Sequence, residues 1–166
     1  NRRGFAPVLL CNRCGWAAEC KNCDSKMTLH RSCNQLICHH CEARSKPPIA
    51  CPSCGSGQLI ATGEGTERSE LKLQDRFRST QIMRVDRDTT KKRGHMLEVI
   101  KTAKKGHPCI LIGTQMLAKG HHFEHITLVV IVDADSSLLS PDFRSTERMG
   151  QLLTQVAGRS GRGKIP

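Results

Sequence analysis

Apolar and polar positions follow different rules in the two parts of this chain. Between Cys23 and Cys38, Met27/Leu29 and Leu36/Ile37 flank a polar turn, which is the pattern of a β-hairpin. Past residue 54 the pattern lengthens. After a Gly55-Ser56-Gly57 hinge comes the apolar Leu59-Ile60-Ala61, and Thr66 offers an N-cap for a helix over Glu67–Phe77 with acid in its first turn. Ile82–Val85 reads as a short strand ending at Asp86. Met96, Val99, Ile100 and Ala103 recur at helical spacing, and Gly106 ends that helix. Cys109–Ile112 and Ile126–Val132 are continuous apolar runs, the mark of strands buried on both faces. Arg144–Ala157 is helical, with Met149, Leu152, Leu153 and Val156 on one side. Strands alternating with helices predict an α/β fold with an open, mainly parallel sheet, whose ligands gather at the carboxyl ends of the strands.

The hairpin segment is too short to carry a large core, and its cysteines say what replaces one. Eight of the ten cysteines stand in Cys-x-x-Cys pairs: Cys11/Cys14, Cys20/Cys23, Cys38/Cys41 and Cys51/Cys54. Each such knuckle turns two sulfurs toward one point, and two knuckles complete the tetrahedral shell of a structural Zn²⁺. Four knuckles therefore predict two zinc ions per chain. A hairpin brings its ends together, so Cys20/Cys23 should share a metal with Cys38/Cys41, leaving Cys11/Cys14 with Cys51/Cys54. Sequential pairing would also fill both shells. His30, His39 and His40 are possible ligands, but the cysteines already suffice. Cys33 reads as a surface thiol and Cys109 as a core thiol. No signal peptide or long apolar run is present to indicate an oxidising compartment or a membrane partner.

Charge narrows the partner. The 166 residues carry 26 Lys+Arg against 15 Asp+Glu, a formal net charge of +11, which favours a polyanion and nucleic acid in particular. Aromatic residues are scarce, so Trp16 is the candidate base stacker; covering the small zinc core is its alternative role.

Candidate phosphate chemistry follows the predicted strands. The 109–112 strand runs into Gly113-Thr114-Gln115, where backbone N–H groups and a hydroxyl can meet a phosphate. The last helix runs through Gln155-Val-Ala into Gly158-Arg159-Ser-Gly161-Arg162, two rigid cationic forks spaced by glycines. Two look-alikes fail. Gly158 to Lys164 mimics a Walker A loop, but Ile165 stands where a Ser or Thr must hold Mg²⁺, and a helix precedes it where a strand should. Asp133-Ala-Asp135 mimics a Walker B acid but reads better as a strand-end turn.

Residues 155–162 (Gln-Val-Ala-Gly-Arg-Ser-Gly-Arg) resemble motif VI of superfamily 2 helicases. Residues 110–123 resemble motif V in the form typical of the PriA family of bacterial replication-restart helicases. The family also carries segments similar to residues 1–7, 65–67, 86–90 and 142–148, and an eight-cysteine, two-zinc insertion at this place. The resemblance implies the second RecA-like lobe of a 3′–5′ DNA helicase, with a small ribbon-like zinc module inserted near its start. Residues 1–10 would begin the lobe, 11–54 form the zinc module, and 55–166 continue the lobe. Asn1 is not a start methionine, and the chain reads as a piece of a larger protein.

By residue, the resemblance implies Arg162 as an arginine finger toward ATP held with Mg²⁺ by another lobe, with Arg159 in support and Gln155 positioning the helix end. Gly65, Thr66, Glu67 and Gly120 fall on the nucleotide-facing side. Gly113, Thr114 and Gln115 would track the DNA strand. His121 and His122 stand where other superfamily 2 motifs often have an Asp, whose role is not carried over. The zinc module, Trp16 included, would meet DNA or primosome partners, with single-strand-binding protein among the partners implied and the bacterial cytoplasm as the location. Without a Walker A loop these residues alone should not hydrolyse ATP. Two other functions fit the cysteines and the charge: a zinc-ribbon nucleic-acid-binding module with no ATPase role, and a zinc-stabilised subunit of a larger assembly. Neither explains motif VI beside motif V.

Overall fold

The computed structural model describes residues 3–23, 25–91, 94–118, 123, 125–132, 134 and 144–157. The chain divides into two compact units, Arg2–Arg76 and Phe77–Pro166.

In the first unit, β1 (Val8–Cys11) pairs antiparallel with β5 (Leu59–Thr62), from Val8 opposite Thr62 to Cys11 opposite Leu59. A three-stranded antiparallel sheet joins β2 (Thr28–His30), β3 (Gln35–Ile37) and β4 (Arg44–Ser45). The expected hairpin is therefore present, turned through residues 31–34 with Asn34 at φ 50°, a left-handed conformation that Asn tolerates. Its core is small: Leu9, Ala18, Met27 and Leu36 pack with Cys20 and Cys38, and Trp16, Leu29 and Leu59 lie partly buried against them.

The unit runs past Cys54 because β5 returns to β1 and α1 (Thr66–Arg76) follows at once. Thr66 is the first residue of this helix. The Gly65 carbonyl takes the first intrahelical bond, from Ser69 N–H at 3.0 Å, so Gly65 holds the capping position expected for Thr66. Only glycine fits there. A Cβ on Gly65 would lie 2.0 Å from the Gly4 carbonyl oxygen, where the chain entering the unit crosses the start of α1. The same entering segment is bonded to β2, Phe5 N–H donating to Leu29 O at 2.8 Å and Leu29 N–H to Ala6 O at 2.8 Å. The guanidiniums of Arg31 and Arg68 stand 5.2 and 4.5 Å from the Phe5 ring centroid.

The second unit holds β6 (Gln81–Val85), α2 (His95–Lys104), β7 (Cys109–Gly113), the short α3 (Gln115–Ala118) and α4 (Ser145–Ala157). β6 and β7 are parallel, from Gln81 opposite Cys109 to Val85 opposite Gly113, with α2 as the crossover. Val85, Val99, Ile112, Phe123 and Met149 are buried. Asp86 closes β6: its carboxylate oxygen accepts Asp88 N–H and Thr89 N–H, each at 3.0 Å.

A second expectation is also overturned. Ile126–Val132 forms no strand, and Leu128 and Val130 are 76% and 69% exposed. An apolar run needs a neighbouring strand to receive its backbone bonds and cover its faces. Among the described residues the sheet of this unit ends at β6 and β7. The fold among the described residues is mixed α/β with small sheets, of which β6–β7 is the parallel one.

Candidate zinc centres and helicase motifs

The eight knuckle cysteines gather into two clusters, Cys11/Cys14/Cys51/Cys54 and Cys20/Cys23/Cys38/Cys41, the sulfurs of each lying within 4.8 Å of one another. Of the two pairings open in the sequence, the structure takes the nested one. Antiparallel pairing explains it: β2–β3 closes the inner cluster, and β1–β5 closes the outer one around it. Three of the four knuckles share one turn. Gly15, Glu42 and Gly55 each follow a second cysteine, have φ between 63° and 75°, and donate N–H to the carbonyl of Cys11, Cys38 and Cys51.

Sulfur separations identify the chemistry. In the outer cluster, Cys11 and Cys54 are 3.7 Å apart and Cys14 and Cys51 3.6 Å. In the inner one, Cys20–Cys41 is 3.4 Å, Cys23–Cys38 3.5 Å and Cys23–Cys41 3.7 Å. A disulfide requires about 2.0 Å, and all ten cysteines are free. Four sulfurs around Zn²⁺ at about 2.3 Å lie roughly 3.8 Å from each other. The clusters fit two zinc ions.

Electrostatics agree. Burial opposes a Cys11 thiolate, yet the N–H groups of Cys14 and Arg13 and the neighbouring thiols bring its pKa down to about 6. The N–H of Cys41 is the main influence at Cys38, which also falls to about 6. Cys41 and Cys54 go the other way, to about 12. The N–H groups of Ala43 and Ser56 favour their thiolates, but burial and the facing cysteines outweigh them. Four crowded sulfurs cannot all ionise without a cation among them, and a divalent metal supplies that charge. The remaining thiols differ: Cys33 is exposed, and burial pushes Cys109 up.

The histidines weighed as ligands have another arrangement. His30 Nε2 and His39 Nε2 are 2.8 Å apart, and His30 Nδ1 lies 3.2 Å from the Glu67 carboxylate. That carboxylate is the site feature least visible in the sequence, since nothing in the spacing ties residue 67 to a hairpin turn 35 residues earlier. It also accepts Arg31 N–H at 2.9 Å, Ser32 N–H at 3.4 Å and Ser32 Oγ–H at 3.0 Å. Burial works against the ionised form of Glu67, but His30, Ser32 and Arg31 hold its pKa down to about 2. Gly65, Thr66 and Glu67 thus stand together at the buried start of α1.

In the second unit, Gly113 and Thr114 sit partly buried at the carboxyl end of β7, with Gln115 exposed as the first residue of α3. A Cβ on Gly113 would come within 2.4 Å of the Val85 carbonyl oxygen, so only glycine lets the β7 end lie this close to β6. Thr114 O accepts Leu117 N–H at 3.1 Å, which starts α3. Gln155 is exposed in the last turn of α4. Gly120, His121, His122, Asp133, Asp135, Arg159 and Arg162 lie outside the described residues.

Comparison with known proteins bears on both units. Residues 20–46 match the PriA DNA helicase Cys-rich region domain, which takes in the whole inner cluster, and residues 55–164 match the helicase conserved C-terminal domain. The replication restart protein PriA of Haemophilus influenzae is 51% identical over 162 residues, covering 98% of this chain and 22% of the relative. The protein of that name from Bacillus subtilis is 42% identical over all of this chain and 21% of its own length. That from Synechocystis is 40% identical over all of this chain and 20% of its own. The chain spans about a fifth of the length of these relatives. Among the described residues no helix is long and apolar enough to cross a membrane. With two matching domains in this order and identity running along the whole chain, it belongs to the PriA family of replication restart helicases, of which it carries the Cys-rich region and the helicase C-terminal domain.

Proposed function

We propose that this chain is the second RecA-like lobe, with its zinc module, of an ATP-dependent 3′–5′ DNA helicase that assembles the primosome at stalled replication forks. The supporting observation is the parallel β6–β7 pair, with Gly113 pressed against the Val85 carbonyl and Thr114 emerging at the strand end where α/β folds receive ligands. In this reading Gly113, Thr114 and Gln115 track the phosphates of the translocated strand. Gly65, Thr66, Glu67 and Gly120 belong to the nucleotide-facing side, the Glu67 carboxylate being committed to the hairpin turn. ATP and Mg²⁺ are held by the other lobe, and Arg162 reaches the γ-phosphate, supported by Arg159 and by Gln155 at the helix end. The zinc module, with Trp16, meets DNA or other primosome proteins, single-strand-binding protein among them, in the bacterial cytoplasm.

An arginine finger contributes about 10³–10⁵ in rate, because its charge meets charge that develops only in the transition state. Arg162→Ala in the full-length protein should abolish most DNA-dependent ATP hydrolysis while leaving DNA affinity and zinc content nearly unchanged. Lysine should rescue poorly, since a point charge lacks the planar fork. Hydrolysis at near wild-type rate in Arg162→Ala, with only a lower melting temperature, would reduce Arg162 to a helix-end cation.

A further inference from the structure

We propose that Glu67 is a positioning residue that orients the inner cysteine cluster, acting through His30 on His39, which stands inside the Cys38–Cys41 knuckle. The inference needs only residues of the first unit and goes beyond the helicase reading, which could fail without touching it.

The path is continuous and largely dry. Glu67 sits in the first turn of α1 and is buried, as is His30 in the last position of β2. An ionised carboxylate only accepts hydrogen bonds, so the 3.2 Å contact is a donation from His30 Nδ1–H. In the neutral imidazole Nε2 is then an acceptor, and the 2.8 Å contact requires His39 to donate through its own Nε2–H. One carboxylate thereby sets the tautomer and ring orientation of two histidines in series. His39 immediately follows Cys38, a ligand buried to 0% exposure, and the N–H of the next residue, His40, bonds to the Cys38 sulfur. The orientation of the His39 ring is therefore tied to the backbone that aims Cys38 at its metal. Outer groups that orient ligand-bearing segments are a known lever on metal sites.

The same carboxylate also holds the hairpin turn. Arg31 N–H and Ser32 N–H meet one oxygen, Ser32 Oγ–H and His30 Nδ1–H the other. These donors come from three consecutive residues, His30 to Ser32, where β2 enters the turn, so Glu67 fixes the hairpin at its tip and, through the histidines, near its metal end. Such a device makes α1 and the inner cluster one body. A glutamine cannot reproduce it, because its amide nitrogen would face donors that need an acceptor.

The test uses the zinc-loaded chain and its Glu67→Gln variant, read by zinc content, amide hydrogen exchange and imidazole ¹⁵N shifts. The wild type should show His30 as the Nδ1–H tautomer and His39 as the Nε2–H tautomer. Glu67→Gln should keep both zinc ions, redistribute both tautomers, and speed exchange at the Arg31 and Ser32 amides by about tenfold or more. Unchanged tautomers or unchanged amide protection in Glu67→Gln would overturn the proposal. Should that variant fail to fold, Ser32→Ala removes one donor and keeps the carboxylate. It should speed Arg31 exchange by roughly two- to fivefold with both tautomers retained, and no change there would equally overturn the proposal.

Discussion

Residues 2–76 and 77–166 meet the same physical requirement, enough burial to offset chain entropy, by opposite means. The first unit has a core of a few apolar side chains, two of its six buried members being cysteines, and strands of two to four residues. Such a core is below what a free-standing domain needs, and metal cross-links take its place. The second unit uses a local strand–helix–strand crossover buried around Val85, Val99 and Ile112, yet leaves Leu128 and Val130 in solvent. A unit held by metal can be complete at small size. One held by packing is complete only when every apolar face has a neighbour.

The strongest way to break this contrast is to remove the metal. Structural zinc contributes about 10–16 kcal/mol in zinc-finger peptides, much of it as folding energy. Chelation should therefore erase the β2–β3 and β1–β5 pairings while the β6–α2–β7 signals persist in the same NMR spectrum. Elemental analysis should first find two zinc ions per chain, and Cys38→Ser should loosen the hairpin and spare the second unit. If both units melt together on chelation, the contrast fails.

Backbone crossings sharpen it next. Gly65→Ala and Gly113→Ala each drive a Cβ into a carbonyl, at 2.0 and 2.4 Å, so each should cost about 3 kcal/mol or more. Gly65→Ala should lower the denaturation midpoint of the first unit only, and Gly113→Ala that of the second only.

Acid offers a third handle. Glu67 has its folded pKa depressed to about 2 by its hairpin partners, against about 4.3 for an unfolded chain. A depressed carboxylate stabilises the fold above its unfolded pKa and loses that contribution as pH falls through the folded one. The stability difference between wild type and Glu67→Gln should be about 3 kcal/mol near neutrality, and shrink between about pH 4.5 and 2. A difference that stays constant through that window would show that the carboxylate charge is not what Glu67 contributes. The smallest effect belongs to the exposed run: Leu128→Ser or Val130→Thr should change the stability of this chain by no more than about 0.5 kcal/mol.

The inner cluster could be read in advance because two local signals, knuckle spacing and a hairpin pattern, point to the same closure. The β6–α2–β7 crossover was legible for the same reason, each element carrying its own periodicity. What escaped the sequence depends on distant partners. The β1–β5 pairing joins two four-residue strands across the whole module, and short apolar stretches do not say which strand they seek. Glu67 reads as a first-turn acid that the resemblance sets on the nucleotide-facing side, but its bonds to the hairpin have no local signal, because those partners lie in a turn that no helix pattern encodes. The Ile126–Val132 run carried a true apolar signal, but composition reports a demand for neighbours and not their presence.

The nesting of the two clusters has a consequence for assembly. Cys23 and Cys38 are 15 residues apart, whereas Cys11 and Cys54 are 43 apart. Closing the longer loop first would cost about 1 kcal/mol more chain entropy. Once the inner cluster has captured its metal, the outer ends are already drawn together and the remaining search is short. A newly made chain emerging from the ribosome presents all four inner ligands before Cys51 and Cys54 appear, so the order of synthesis and the order of cheapest closure coincide. The module can load its metals from the inside outward, with the later ion completing a ring that the earlier one has already shortened.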